Sequence, residues 1–229
     1  MEQALVARLP EAWDLSFRDY TRALSVVEIE GEGIKYGFVD AEHLHKQPSD
    51  LKKIKDGLAS RAAGKLEETL AVLGLPLGAA AKAIDLGSAP GAWTALLAGH
   101  VGHVVAVDPA EMDPAVLALG NVEHMRMKAE DAVSALLGQG TFQLVVSDMN
   151  MHIKQCAEVA RPLLPLLESG GHLIMTVKGF GRGRDKEHAT KDFIDILGES
   201  NFRGGAAGIK SLWLIANTVC ERTLIAVKS

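Results

Sequence analysis

The chain has 229 residues, of which 48% are hydrophobic and 23% charged, the make-up of an ordinary globular enzyme large enough for one full core. A formal net charge of −5 argues against a surface coated with nucleic-acid-binding residues, while leaving room for a local basic face. Two cysteines, Cys156 and Cys220, lack CxxC spacing; this excludes a disulfide framework or zinc site and fits a reducing compartment. No apolar run reaches membrane-spanning length, and residues 1–15 lack the layout of a signal peptide, so the cytoplasm is expected.

In chain order, two alternating apolar runs at 25–30 and 34–39, around Gly31-Glu-Gly33, predict a hairpin. Pro48-Ser49-Asp50 signals a helix start, with helical pattern continuing to about Leu73. Beyond Pro76, short apolar strands alternate with helices. Strands are expected near 82–86, 103–107, 122–127, 142–147 and 171–177, and helices near 91–99, 112–119, 130–137, 153–168 and 186–199. That alternation predicts a parallel sheet with helices on both faces. The runs 208–215 and 218–227 leave no space for a helix between them, so one must be antiparallel. The layout is α/β and Rossmann-like, mostly parallel with a C-terminal antiparallel strand. It is the arrangement of class I methyltransferases by fold analogy. Residues 1–57 read as an N-terminal extension on the substrate side and 58–229 as the catalytic domain.

The first strand of the alternating region runs into Asp85-Leu-Gly-Ser-Ala-Pro-Gly-Ala-Trp93. Ligands of open α/β sheets bind at the carboxyl ends of the strands, which makes Asp85, Gly87, Ser88, Pro90, Gly91 and Trp93 candidate cofactor residues. The glycine spacing is GxxxG rather than GxGxxG, and no Gly-Lys-Ser/Thr follows, so nothing is built for a pyrophosphate. Asp108 ends the next strand, where an acid accepts hydrogen bonds from a ribose diol. Glu130 or Asp131, after the following strand, is the acid for adenine, with Asp131 taken as the candidate. S-adenosylmethionine is therefore the expected cofactor.

Charged residues also fall at later strand ends. Asp148 follows the strand ending at Ser147, Lys178 follows the strand ending at Val177, and Glu221 opens an antiparallel last strand. Lys65 begins a helix that runs back down the sheet, so it reaches the same edge. In Ser60-Arg-Ala-Ala-Gly-Lys65, Ser147-Asp148-Met, Val177-Lys178-Gly and Val219-Cys-Glu221-Arg-Thr223, the sequence resembles the FtsJ-type RNA ribose 2′-O-methyltransferases. It is most similar to the bacterial enzymes that methylate a cytidine ribose of large-subunit ribosomal RNA. The resemblance implies that Lys65, Asp148, Lys178 and Glu221 are catalytic and that Asp148 also borders the cofactor. Lys178 is then the general base for a ribose hydroxyl, a role open to a lysine where burial or a neighbouring cation disfavours its charge. No metal is needed. The segment ahead of Leu58 is shorter than the RNA-binding region of those enzymes, and Ala92 stands where the family has the second glycine of Pro-Gly-Gly-Trp.

On the substrate side, segment 46–65 holds Lys46, Lys52, Lys53, Lys55, Arg61 and Lys65, and segment 182–186 holds Arg182, Arg184 and Lys186. Both suit RNA phosphates. A protein partner or homo-oligomer could supply further RNA affinity. Two other readings stay open: a small-molecule O-methyltransferase, and a non-catalytic RNA-binding relative.

Overall fold

The computed structural model describes residues 21–29, 33–40, 61–149, 151–178, 185–212, 214, 217 and 221–229. The chain divides into two compact units, Met1–Ala59 and Ser60–Ser229. In the first, strands β1 (Arg22–Ile29) and β2 (Gly33–Asp40) pair antiparallel, from Arg22 opposite Asp40 to Ile29 opposite Gly33. Arg22 Nε and Asp40 Oδ1 form an ion pair of 3.1 Å at its open end. The helix start at Pro48 and the lysines of 46–55 lie outside the described residues.

The second unit begins with helix α1 (Arg61–Leu73). Strands β3 (Lys82–Leu86), β4 (His103–Val107), β5 (Val122–Met125), β6 (Phe142–Ser147), β7 (Leu167–Lys178), β8 (Lys210–Leu212) and β9 (Glu221–Val227) form one sheet, ordered β5-β4-β3-β6-β7-β9-β8. Neighbours from β5 to β7 are parallel, while β9 runs antiparallel to both β7 and β8. Connecting helices are α2 (Ala92–Ala98), α3 (Pro114–Leu117), α4 (Ala129–Leu136), α5 (Ile153–Ala160) and α6 (Asp185–Leu197).

Side-chain alternation along the strands builds two cores, one per sheet face. Ile84, Leu86, Val105, Val107, Val145 and Leu173 pack with residues of α4, α5 and α6. Ala83, Val104, Leu144, Val146 and Ile174 pack on the opposite face with Leu66 and Leu70 of α1 and with Trp93 and Leu97 of α2. Chain order reverses at β3, which has β4 on one side and β6 on the other. Such a switch point opens a crevice beyond the carboxyl ends of the strands.

Among the boundaries that differ from expectation, three have a clear local cause. The helix expected over 153–168 stops at Ala160, and a 3-10 turn, Arg161–Leu166, carries the chain onward. Pro162 and Pro165 lack the N–H groups an α-helix would use, and β7 already begins at Leu167, opposite Phe142. The helix expected over 112–119 shrinks to α3, because Asp113 caps it by accepting from Ala115 N at 2.8 Å, with Pro114 at its first position. The strand expected over 122–127 ends at Met125, where Met127 N turns back to the Met125 carbonyl at 2.8 Å.

Candidate active site

The loop after β3 is shaped by two glycines. Gly87 has φ +70, and a Cβ there would collide with the Met149 side chain. Gly91 has φ +120 and caps α2; a Cβ would lie 2.6 Å from Met112 Sδ. Both positions therefore require a residue without a side chain. Ala92, the departure noted above, is the first residue of α2 and is half-buried.

Beside this loop lies an open cavity of about 580 Å³. Gly87 and Ala89 form one wall, Asp108 and Asp148 project at the strand ends, and Met149, Met151 and Val159 add an apolar side. Lys128 and Glu130 also line it. Asp108 is held by the backbone: Oδ2 accepts from Ala89 N at 3.2 Å and Oδ1 from Ala110 N at 2.7 Å. Between the two acids left open by the sequence, Glu130 borders the cavity. Asp131, the candidate taken from the sequence, does not: it follows Glu130 in the first turn of α4, whose step of about 100° turns successive side chains apart.

Asp85, Ser88, Pro90, Gly91 and Trp93 belong to the loop or its flanks but do not line this cavity. Asp85 is buried and accepts a 2.7 Å hydrogen bond from the Thr94 hydroxyl. Burial lifts its carboxyl from 3.8 to about 7, against the Thr94 hydrogen bond and with help from the charges of Asp148 and Asp108. Ser88 Oγ is buried without a hydrogen-bond partner among the described residues. Trp93 is buried, its Nε1 donating to the Ala62 carbonyl of α1 at 2.6 Å.

Four charged residues distant in sequence meet at one edge. Lys65 Nζ donates to Asp148 Oδ1 at 2.7 Å and Oδ2 at 3.1 Å, and lies 3.5 Å from Glu221 Oε2. Lys178 Nζ lies 3.4 Å from the other oxygen of Glu221. Asp148 and Lys178 end parallel strands, whereas Glu221 begins the antiparallel one, so reversing β9 is what places Glu221 at this edge. The two lysines differ in access, the Lys65 side chain being 6% exposed and that of Lys178 38%. Lys65 is thus an internal tether and not one of a set of surface cations, as its place in segment 46–65 had suggested. Asp148 belongs to this cluster and to the cavity wall at once.

Arg182 and Arg184 lie outside the described residues, as does the side chain of Lys186. Cys156 is buried, and burial pushes its thiol up to about 12, which leaves it a core residue and no nucleophile. Among the described residues, no cluster of three or more His, Cys, Asp or Glu is arranged to hold a metal ion. No described helix is long and apolar enough to cross a membrane.

The chain is 36% identical over 122 residues to ribosomal RNA large subunit methyltransferase E of Magnetococcus marinus, covering 47% of this chain and 55% of that protein. It is 46% identical over 74 residues to ribosomal RNA large subunit methyltransferase M of Marinobacter nauticus, covering 29% of this chain and 20% of that one. It therefore spans about half, or less, of the length of these curated relatives. Among solved structures, Aeropyrum pernix fibrillarin with natively bound S-adenosyl-L-methionine superposes with a TM-score of 0.52 at 17% identity, over 74% of each chain, a likeness of fold. Residues 58–190, more than half of the chain, match the family model of FtsJ-like methyltransferases, and the chain belongs to that family.

Proposed function

We propose that this chain transfers the methyl group of S-adenosylmethionine to a ribose 2′-hydroxyl of RNA, with ribosomal RNA as substrate and the cytoplasm as the place of action. The observation that carries the reading is the ion-pair chain Asp148–Lys65–Glu221–Lys178 at the rim of a cavity that Asp148 shares.

The cavity's chemistry fits the cofactor. Gly87 lines the cavity with backbone alone, Asp108 offers a carboxylate to a ribose diol, Glu130 offers one to an adenine amine, and the methionine wall suits a flat apolar ring. When bound, the cofactor supplies an electrophilic sulfonium methyl. The chain's task is then to align the acceptor oxygen in line with that methyl and to remove its proton. Lys178, the more accessible lysine and the one at the open end of the ion-pair chain, is the group placed to take that proton. Lys65 holds Asp148 and Glu221 in register. Residues 1–57 and the basic segments 46–65, apart from the buried Lys65, and 182–186 would hold RNA phosphates, alone or with a protein partner.

The test is transfer of tritiated methyl from S-adenosylmethionine to total RNA and to isolated ribosomal subunits, followed by nucleoside analysis. A 2′-O-methylnucleoside is expected. A base-methylated nucleoside, or transfer only to small hydroxyl compounds, would overturn the proposal.

A further inference from the structure

We infer that Trp93 is a positioning residue for Lys65, clamping the first turn of α1 to the helix that follows the cofactor loop; the inference rests on the reading of Lys65 as part of the active edge.

Trp93 is the second residue of α2, directly behind the glycine loop, yet its indole is buried and borders no part of the cavity. A buried indole N–H must find an acceptor, and it finds the Ala62 carbonyl at 2.6 Å. Ala62 is the second residue of α1, so its carbonyl also serves the helix's own ladder, and a carbonyl oxygen can accept both bonds. Ala62, Leu66 and Leu70, spaced by four, share the stripe of α1 that packs in one cluster with Trp93 and Leu97. The hydrophobic contact alone tolerates sliding of one helix along the other; the hydrogen bond fixes the height.

That height matters because Lys65 lies one turn beyond Ala62. Its Nζ must meet a carboxylate from the end of β6 at 2.7 Å and another from the start of β9 at 3.5 Å. A shift of α1 by about 1 Å would lose this geometry, and misplacements of that size suffice to slow catalysis strongly. The next residue, Thr94, anchors the same turn of α2 to Asp85 in β3 at 2.7 Å. The first turn of α2 is thereby tied to the sheet on one side and to the helix bearing Lys65 on the other.

The experiment compares Trp93→Phe, which keeps a ring but deletes the N–H, with Leu97→Val, which loosens the same cluster without touching the Ala62 bond. Should Trp93→Phe fail to fold, benzothienylalanine at position 93 preserves the indole shape without the donor. Loss of the donor should lower kcat roughly tenfold or more while the KM for S-adenosylmethionine stays within about twofold. Leu97→Val should leave kcat within about twofold. In a Lys65→Ala background the loss of the donor should have no further effect, since it acts through Lys65. Independently of activity, labelling of Lys65 by an amine-reactive ester, read by mass spectrometry, should quicken severalfold without the donor while exposed lysines are unaffected. Unchanged kcat and labelling would overturn the inference, as would an equal loss in the Lys65→Ala background. If the parent enzyme methylates no RNA, the proposed function fails, and the labelling rates alone decide the role of Trp93.

Discussion

Lys178, the last residue of β7, and Glu221, the first of β9, are direct cross-strand partners, with ammonium and carboxylate 3.4 Å apart. Because β9 runs against its neighbour, its beginning lies where β7 ends. The second oxygen of Glu221 extends the contact to Lys65, and Lys65 in turn reaches Asp148. One carboxylate thus joins the open lysine to the buried one.

Removing the amine at the open end should abolish most of the chemistry and none of the binding. Lys178→Ala is expected to lower kcat by roughly 10²- to 10⁴-fold, the range for loss of a general base, with the dissociation constant for S-adenosylmethionine unchanged by calorimetry. Full activity in this variant would exclude Lys178 as the base.

The inner lysine should matter for the fold as well. Lys65→Met would remove the cation that Asp148 shares with Glu221, which is buried at 3% exposure and keeps its contact with Lys178. A loss of about 3 kcal/mol is expected, at the low end of the range for breaking a buried pair because Asp148 keeps some contact with solvent. Urea denaturation at neutral pH measures it.

Asp85 predicts a pH dependence of stability. Its folded pKa of about 7 lies above the ordinary 3.8, so between these values the folded chain keeps a proton that the unfolded chain has released. The contribution of Asp85 to stability therefore falls as pH rises from about 4 to 7 and is level above that window. Asp85→Asn removes the titration. Relative to the parent, its stability should improve by on the order of 3 kcal/mol between pH 5 and pH 8. Parallel urea curves for the two proteins would contradict the assignment.

At the cofactor loop, Gly87→Ala combines a positive φ with a collision against Met149. It should weaken S-adenosylmethionine binding by roughly tenfold or more and lower stability by about 1 kcal/mol. Calorimetric titration and thermal unfolding report the two effects separately.

The adjoining acids at the start of α4 offer a sharper discrimination. Glu130→Ala should raise the cofactor dissociation constant roughly tenfold, the loss of one hydrogen bond to a charged group. Asp131→Ala should leave it within about twofold. The reverse order would move the adenine contact to Asp131.

Much of this protein was legible from its sequence because the relevant signals are local. Strand–helix alternation after Pro76 reflects side-chain periodicity, and the sheet and its antiparallel end follow from it. Gly87 and Gly91 announce themselves through the only residue type their backbone angles favour. Asp108, Asp148, Lys178 and Glu221 interrupt or border apolar runs, which marks strand ends whatever surrounds them. Proline punctuation at 162 and 165 was equally readable, but a helical hydrophobic pattern spans it, and only the pairing of Leu167 with Phe142 decides that the segment enters the sheet. What local pattern does not encode is which neighbour a side chain meets. Lys65 sits in a basic segment and became a buried tether because β6 and β9 bring two carboxylates to it. Trp93 follows a cofactor loop and turned to α1 because its N–H had to be satisfied away from water. Glu130 and Asp131 are adjacent acids, separated only by where the first turn of α4 stands against the cavity. Sequence determined the strand ends and the residue types at the active edge; packing across 83 residues, from Lys65 to Asp148, decided which charges face one another.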